Sequence, residues 1–183
     1  MIKKIVLSIS GVLLVGVLGI VGVALTQPDV FHVEREMTMK ATPAQIYPHI
    51  SNLKAWEDWS PWEEKDPQMK KTYSGPESGV GARQEWKGNS DVGSGSIEIT
   101  DVEEPTRIKL NLHFIEPFEG DSKVTFNIVP EGDDTKVTWK MDSQNDFVSK
   151  VMMVFMDMDE MCGNDFDRGL MRLKEIVETK SRD

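Results

Sequence analysis

Apolar and polar positions follow three regimes along the chain. An uncharged apolar run opens it, two-residue alternations fill its middle, and a helical stripe closes it. The opening run, Ile5 to Leu25, holds 21 residues of Val, Leu, Ile, Gly, Ala and Ser. At ~1.5 Å per residue it reaches about 30 Å as a helix, the hydrocarbon thickness of a bilayer. The first alternation spans Phe31 to Ala41, with Phe31, Val33, Met37 and Met39 on one face. Period two predicts a half-buried strand. Arg35 is a charge on that apolar face, so it lies either at the solvent boundary or in a cavity beside a carboxylate.

Thr42-Pro43-Ala44-Gln45 then predicts a helix start, with Thr42 as cap, Pro43 in the first turn and Gln45 completing a capping box. Ile46, Tyr47 and Ile50 give this helix an apolar side, and a second short helical piece is expected near 52–56. Pro61 and Pro67 bar a long helix after it. Further strands are read from Val80, Ala82, Gln84 and Trp86, from Ile97 and Ile99, and from Ile108, Leu110, Leu112 and Phe114. Two more follow, through Val124, Phe126 and Ile128 and through Val137, Trp139 and Met141, with a hairpin turn at Gly132-Asp133-Asp134. Consecutive strands with one apolar face predict an antiparallel sheet covered on one side. From Asp146 to about Lys180 the period becomes helical, with Val151, Phe155, Met158, Cys162, Phe166, Leu170, Leu173 and Val177 on the stripe. One unbroken helix there would be ~50 Å long, more than a small sheet can cover, so a break near 156–164 is expected.

Three of the five tryptophans fall within Trp56-Glu57-Asp58-Trp59-Ser60-Pro61-Trp62. That segment is read as a wall and lid of an internal pocket, with Trp59 and Trp62 facing a ligand and Trp56 packing a helix.

Charge and composition remove several classes. The formal charge is −10, and residues 1–28 carry only Lys3 and Lys4, so the remainder carries −12. Nucleic-acid binding needs clustered cations and is excluded as an expectation. Cys162 is the only cysteine, and His32, His49 and His113 are far apart, so neither a disulfide nor a metal site is predicted. No phosphate-cradling loop and no nucleophile elbow are present.

The order of elements resembles the helix-grip fold of the START-like superfamily. More closely it resembles the bacterial polyketide cyclase/dehydrase-type (SRPBCC) proteins, many of which carry one N-terminal membrane helix. The matching motifs run through Ala41-Thr42-Pro43, Trp59-Ser60-Pro61-Trp62, Asp66-Pro67, Tyr73-Ser74-Gly75 and Gly79-Val80-Gly81. They continue through Trp86-Lys87-Gly88, Val92-Gly93-Ser94-Gly95, Thr135 to Trp139 and Phe166 to Lys174. The resemblance covers about residues 30–180. It implies an α+β fold with a curved antiparallel sheet of about six to seven strands wrapped on a long C-terminal helix. It also implies a cavity between them for lipids, sterols or polyketide-like molecules. It brings no catalytic set and no cofactor.

Two parts are therefore expected: residues 1–28 as a membrane anchor and linker, and residues 29–183 as a ligand-binding domain. Lys3 and Lys4 place the N-terminus in the cytoplasm and the domain on the far side, periplasmic or extracellular. Secretion after cleavage near Gly22-Val23-Ala24 is the alternative. Candidate cavity residues are Arg35, Trp59, Trp62, Gln84, Trp86, Phe114, Phe126, Trp139, Met141 and Met158. Polar candidates for acid-base work are Arg35, Gln84, Asp58, Ser60, Asp157, Asp159 and Glu160. The expected function is binding or carriage of a small hydrophobic ligand or lipid without catalysis. A cyclase or dehydratase and a ligand-free interaction module of the cell envelope are the alternatives.

Overall fold

The computed structural model describes the backbone of residues 2–180 and the side chains of residues 11 and 13–179. It contains helix α1 (Ile2–Thr26), strand β1 (Val30–Met39), helix α2 (Pro43–Ser51), a 3-10 helix (Leu53–Asp58) and helix α3 (Pro61–Lys65). Six strands follow: β2 (Lys70–Ser74), β3 (Arg83–Lys87), β4 (Ser94–Glu103), β5 (Arg107–Glu116), β6 (Gly120–Glu131) and β7 (Asp134–Gln144). Helices α4 (Phe147–Phe155) and α5 (Met158–Lys180) end the chain. The chain divides into two compact units. One is residues 1–31 with 144–158, and the other is residues 32–143 with 159–183.

The larger unit is built on one seven-stranded sheet in the order β1-β7-β6-β5-β4-β3-β2. Every pairing from β2 through β7 is an antiparallel neighbour in sequence. The alternation read from the sequence appears directly in the burial. On β6, Val124, Phe126 and Ile128 are buried, and on β7 Val137, Trp139 and Met141 are buried. Their register sets Phe126 opposite Trp139 and Val124 opposite Met141, so the inward faces of the two strands meet.

Helix α5 covers this face. Phe166, Leu170, Leu173 and Val177, spaced by three and four, are all buried. Its far end is tied to the edge strand: Lys174 Nζ donates to the Thr38 carbonyl at 2.9 Å, and Glu178 Oε1 accepts from the Lys40 amide at 2.9 Å. Those bonds occupy backbone groups that an edge strand otherwise leaves open. Arg35 resolves the charge on the β1 face. Its guanidinium meets Asp159 at 3.0 Å and Asp167 at 3.5 Å, both on α5.

Helix α2 starts as its sequence predicts, with the Gln45 side chain accepting from the Thr42 amide at 2.8 Å. Pro61 does not merely stop a helix; it opens α3, where its fixed φ and missing N–H cost nothing. The expected break in the C-terminal stripe falls at Met156 and Asp157, between α4 and α5, while α5 runs on through Gly163-Asn164.

In the smaller unit, α1 and α4 are in contact. The linker after α1 is held there: the Asn145 amide donates to the Asp29 carbonyl at 2.9 Å, and Lys150 reaches the Asp29 carboxylate at 2.5 Å. Lys150 draws the Asp29 carboxyl below its ordinary value, through a hydrogen bond and its charge. None of the residues of α4 is buried, although Phe147, Val148 and Phe155 are apolar. Among the described residues, no helix is long and apolar enough to cross a membrane. Part of the run Ile5–Leu25 has side chains outside the description, as do Lys3 and Lys4.

Helix α5 approaches the sheet closely at Gly169. A Cβ there would lie 2.9 Å from Trp139 and 3.1 Å from Pro61. Replacing Gly169 with Leu is expected to cost about 1–3 kcal/mol through overpacking. A lower denaturant midpoint with an unchanged slope in urea unfolding is the check.

Candidate functional site

Helix α2 ends with carbonyls that have no partner inside the helix. Two indoles use them. Trp56 Nε1 donates to the Ile50 carbonyl at 2.9 Å and Trp59 Nε1 to the His49 carbonyl at 3.0 Å. These bonds fix the start of the tryptophan segment against α2. The turn is fastened from outside by Lys71, which bridges Glu57 at 2.9 Å and Glu63 at 2.8 Å. Burial alone would push the Lys71 ammonium down, but the two carboxylates outweigh it and raise its pKa. The Tyr73 hydroxyl donates to Glu57 at 2.8 Å, and burial together with that carboxylate raises its pKa as well.

The ring planes then form a continuous aromatic layer. Trp56 and Trp59 have centroids 4.9 Å apart, and Trp59 meets Trp139 edge-on at 5.5 Å. Trp139 lies flat on Phe166 of α5, with centroids 4.0 Å apart and planes 6° apart. Trp62 leans on both, at 5.8 Å and 6.4 Å. Contacts of this kind add about 0.5–1.5 kcal/mol each beyond the area they bury.

Next to this layer the larger unit forms a cavity of ≈ 250 Å³ that is partly open to solvent. Trp56, Trp62, Trp139 and Phe166 form one side. Ile97, Leu112, Val124 and Met141 come from the sheet, and Met161 and Cys162 from α5. Trp86 and Phe114 close the far end, edge to face at 5.9 Å and 86°. Gly95 makes that pair possible. It sits between them in register, and a Cβ there would lie 2.6 Å from the Trp86 ring. Trp86 is also held by its indole N–H, 3.1 Å from the Val92 carbonyl.

The polar lining groups are few. Asp165 of α5 is 5% exposed and pairs with Lys65 of α3 at 2.5 Å and with Arg168. Burial pushes the Cys162 thiol up to about 11, and the Asp165 carboxylate pushes in the same direction. A thiol in that state is a poor nucleophile at neutral pH. Asp66, where α3 ends, takes the Asn89 amide at 2.7 Å and the Gln68 amide at 3.0 Å, tying α3 to the β3–β4 connection. In the wall itself, the indole N–H of Trp139 has no hydrogen-bond partner among the described residues. A buried orphan donor costs about 1–3 kcal/mol.

Six of the ten residues singled out from the sequence line the cavity: Trp62, Gln84, Trp86, Phe114, Trp139 and Met141. Four do not. Trp59 and Phe126 are fully buried one layer behind the wall, where the α2 carbonyl and the Trp139 ring hold them. Arg35 is drawn to the α5 carboxylates instead. Met158 starts α5 and is assigned to the smaller unit. Trp56, read as a helix-packing residue, both packs α2 and lines the cavity. Of the polar candidates, Ser60 and Gln84 are at the cavity, while Asp58, Asp159 and Glu160 are exposed. Lys65, Cys162 and Asp165 went unnoticed as lining residues. The one signal in sequence was the spacing of Cys162, Asp165 and Phe166, which puts all three on the inner side of α5.

The model of a family described as polyketide cyclase / dehydrase and lipid transport matches residues 30–178. The chain belongs to this family. Solved structures share its fold. Protein CV1439 from Chromobacterium violaceum is 16% identical over 83% of this chain and 99% of its own, with a TM-score of 0.58. The Aha1 dimer from Colwellia psychrerythraea is 16% identical over 81% and 96%, with a TM-score of 0.58. DynU16, from the dynemicin biosynthetic locus, is 15% identical over 84% of this chain and 49% of its own, with a TM-score of 0.56. At such identities the likeness is one of fold. No curated protein matches the chain. Membership agrees with the helix-grip architecture, and it covers the larger unit and the end of the smaller one.

Trp59 and Trp62 separate structure from site. Trp59→Ala is expected to cost about 3–5 kcal/mol, because it empties a filled core position. Trp62, half-buried at the cavity, is expected to cost about 1–2 kcal/mol when cut to alanine. Thermal unfolding of the two variants side by side checks the order.

Proposed function

We propose that this chain binds and carries a small, mostly apolar molecule in the cavity of its larger unit, while its N-terminal helix tethers it to a membrane. The observation that carries the proposal is the ≈ 250 Å³ cavity walled by aromatic and aliphatic side chains. The walls are mainly apolar, and a guest that covers them gains about 25 cal/mol for each Å² of apolar surface taken from water. The volume lies just under the ~300–1,000 Å³ of drug-sized pockets, so the guest is small. The family description, with its lipid transport, supports the same direction.

The tether rests on sequence. The 21-residue run Ile5–Leu25 has the length and the lack of charge of a spanning segment. Lys3 and Lys4 favour a cytoplasmic N-terminus, with the domain across the membrane in the periplasm or outside the cell. Helix α4, in contact with α1 and with no buried residue, supplies further apolar surface that suits the bilayer interface.

A second reading, a cyclase or dehydratase, draws on Asp165, a carboxylate 5% exposed at the wall. Its pairing with Lys65 and Arg168 occupies the oxygens that would accept a substrate proton. Asp165→Asn distinguishes the two. A carrier keeps its ligand; an enzyme binds but no longer turns over.

Native mass spectrometry of the chain extracted from membranes is expected to show a bound small molecule, and lipid extracts are expected to raise its melting temperature. A chain that is always empty and never shifts would end the carrier reading. Cys162 gives an independent check. Its raised pKa predicts alkylation at pH 8 at least ~10-fold slower than free cysteine, and slower again with the cavity filled. For the tether, the full chain is expected to stay in the pellet after alkaline carbonate washing, and a chain starting at residue 29 to leave it.

A further inference from the structure

Two polar side chains in the cavity wall have no side-chain hydrogen bond to the protein among the described residues. Gln84, on β3, is 8% exposed, lines the cavity, and makes no side-chain hydrogen bond among the described residues. Ser60, the residue before α3, is 5% exposed, lines the same cavity, and its hydroxyl makes no cap bond to the helix it precedes. Leaving either group dry is unfavourable, and the sheet does not require it: Gln84 stands opposite Ile97, where an apolar residue would pack equally well.

The charges around the cavity restrict what is recognised. Four lining residues are ionisable to full charge: Glu63, Asp91 and Asp165 as anions, Lys65 as cation. Lys65 is held by Asp165, and Glu63 is held from outside the wall by Lys71. No lining cation is left for an acidic ligand, and three carboxylates oppose one. An amide and a hydroxyl, each able to donate and accept, instead suit a neutral group with both capacities or an acceptor alone.

We infer that Gln84 and Ser60 form a polar subsite within the apolar cavity, and that it selects uncharged ring compounds bearing a hydroxyl or carbonyl over bare hydrocarbons and over carboxylates. This rests on the carrier reading and sharpens its ligand class. The wall of Trp62, Trp86 and Phe114 provides faces for a flat ring. The subsite supplies orientation, since burying a guest's polar group opposite Gln84 satisfies both partners at once.

Three probes with one ring system separate the possibilities: naphthalene, beta-naphthol and beta-naphthoate. Equilibrium dialysis with the full chain in lipid nanodiscs, with empty nanodiscs as the partition blank, measures each. Beta-naphthol is expected to bind about tenfold tighter than naphthalene, with beta-naphthoate weakest. Gln84→Leu is expected to abolish the preference for naphthol, leave naphthalene binding in place, and melt no lower than the parent, because the amide it removes makes no hydrogen bond to the protein among the described residues. Ser60→Ala reduces the preference in part and loses no helix cap. Equal binding of naphthol and naphthalene by the parent chain overturns the inference and leaves the carrier reading standing. So does tightest binding by naphthoate, or a marked loss of stability in Gln84→Leu with the preference intact. Failure of all three probes to bind overturns both.

Discussion

The stack of Trp139 on Phe166 sets the distance between sheet and helix. Two large planar side chains, one from β7 and one from α5, lie flat against each other at 4.0 Å. Neither layer can approach further there. Tryptophans 56, 59 and 62 and Phe126 brace the same indole from other sides. Beyond this pillar the sheet presents Ile97, Leu112 and Val124, which are too short to reach across the span it fixes. Protein interiors are normally filled to crystal-like density. The cavity is what remains where a wide spacer meets shorter neighbours.

The sheet and its covering helix were open to sequence reasoning because both follow from periodicity. Phe126 and Trp139 announce buried faces by alternation alone, and Leu170 and Val177 by helical spacing. The break between α4 and α5 followed from length. The tryptophan segment was also visible as a wall, but the roles within it were not. Trp59 and Trp62 are chemically identical and three residues apart. What separates them is a carbonyl at the end of α2 that takes the Trp59 N–H and draws that ring into the core. No local pattern encodes that partner. Arg35 shows the same limit: its place on an apolar face was plain, but the carboxylates that claim it are 124 and 132 positions away, at Asp159 and Asp167.

Polar residues in the cavity divide into those with partners and those without. Lys65, Asp165 and Glu63 are engaged and help to hold α3 and α5 in place. Gln84 and Ser60 are not. Buried polar groups are nearly always satisfied in folded proteins. The orphan indole N–H of Trp139 is in the same wall as the Gln84 amide and the Ser60 hydroxyl, so hydrogen-bonding capacity not used by the protein collects where a guest would sit.

The distribution of tryptophan has an optical consequence. Four of the five line the cavity, and the fifth, Trp59, touches that wall from behind. The smaller unit holds none. Ultraviolet emission from this protein therefore has no background from distant indoles. Colour and lifetime of the light it emits report on the polarity and crowding of a single cavity and its wall, without any added dye.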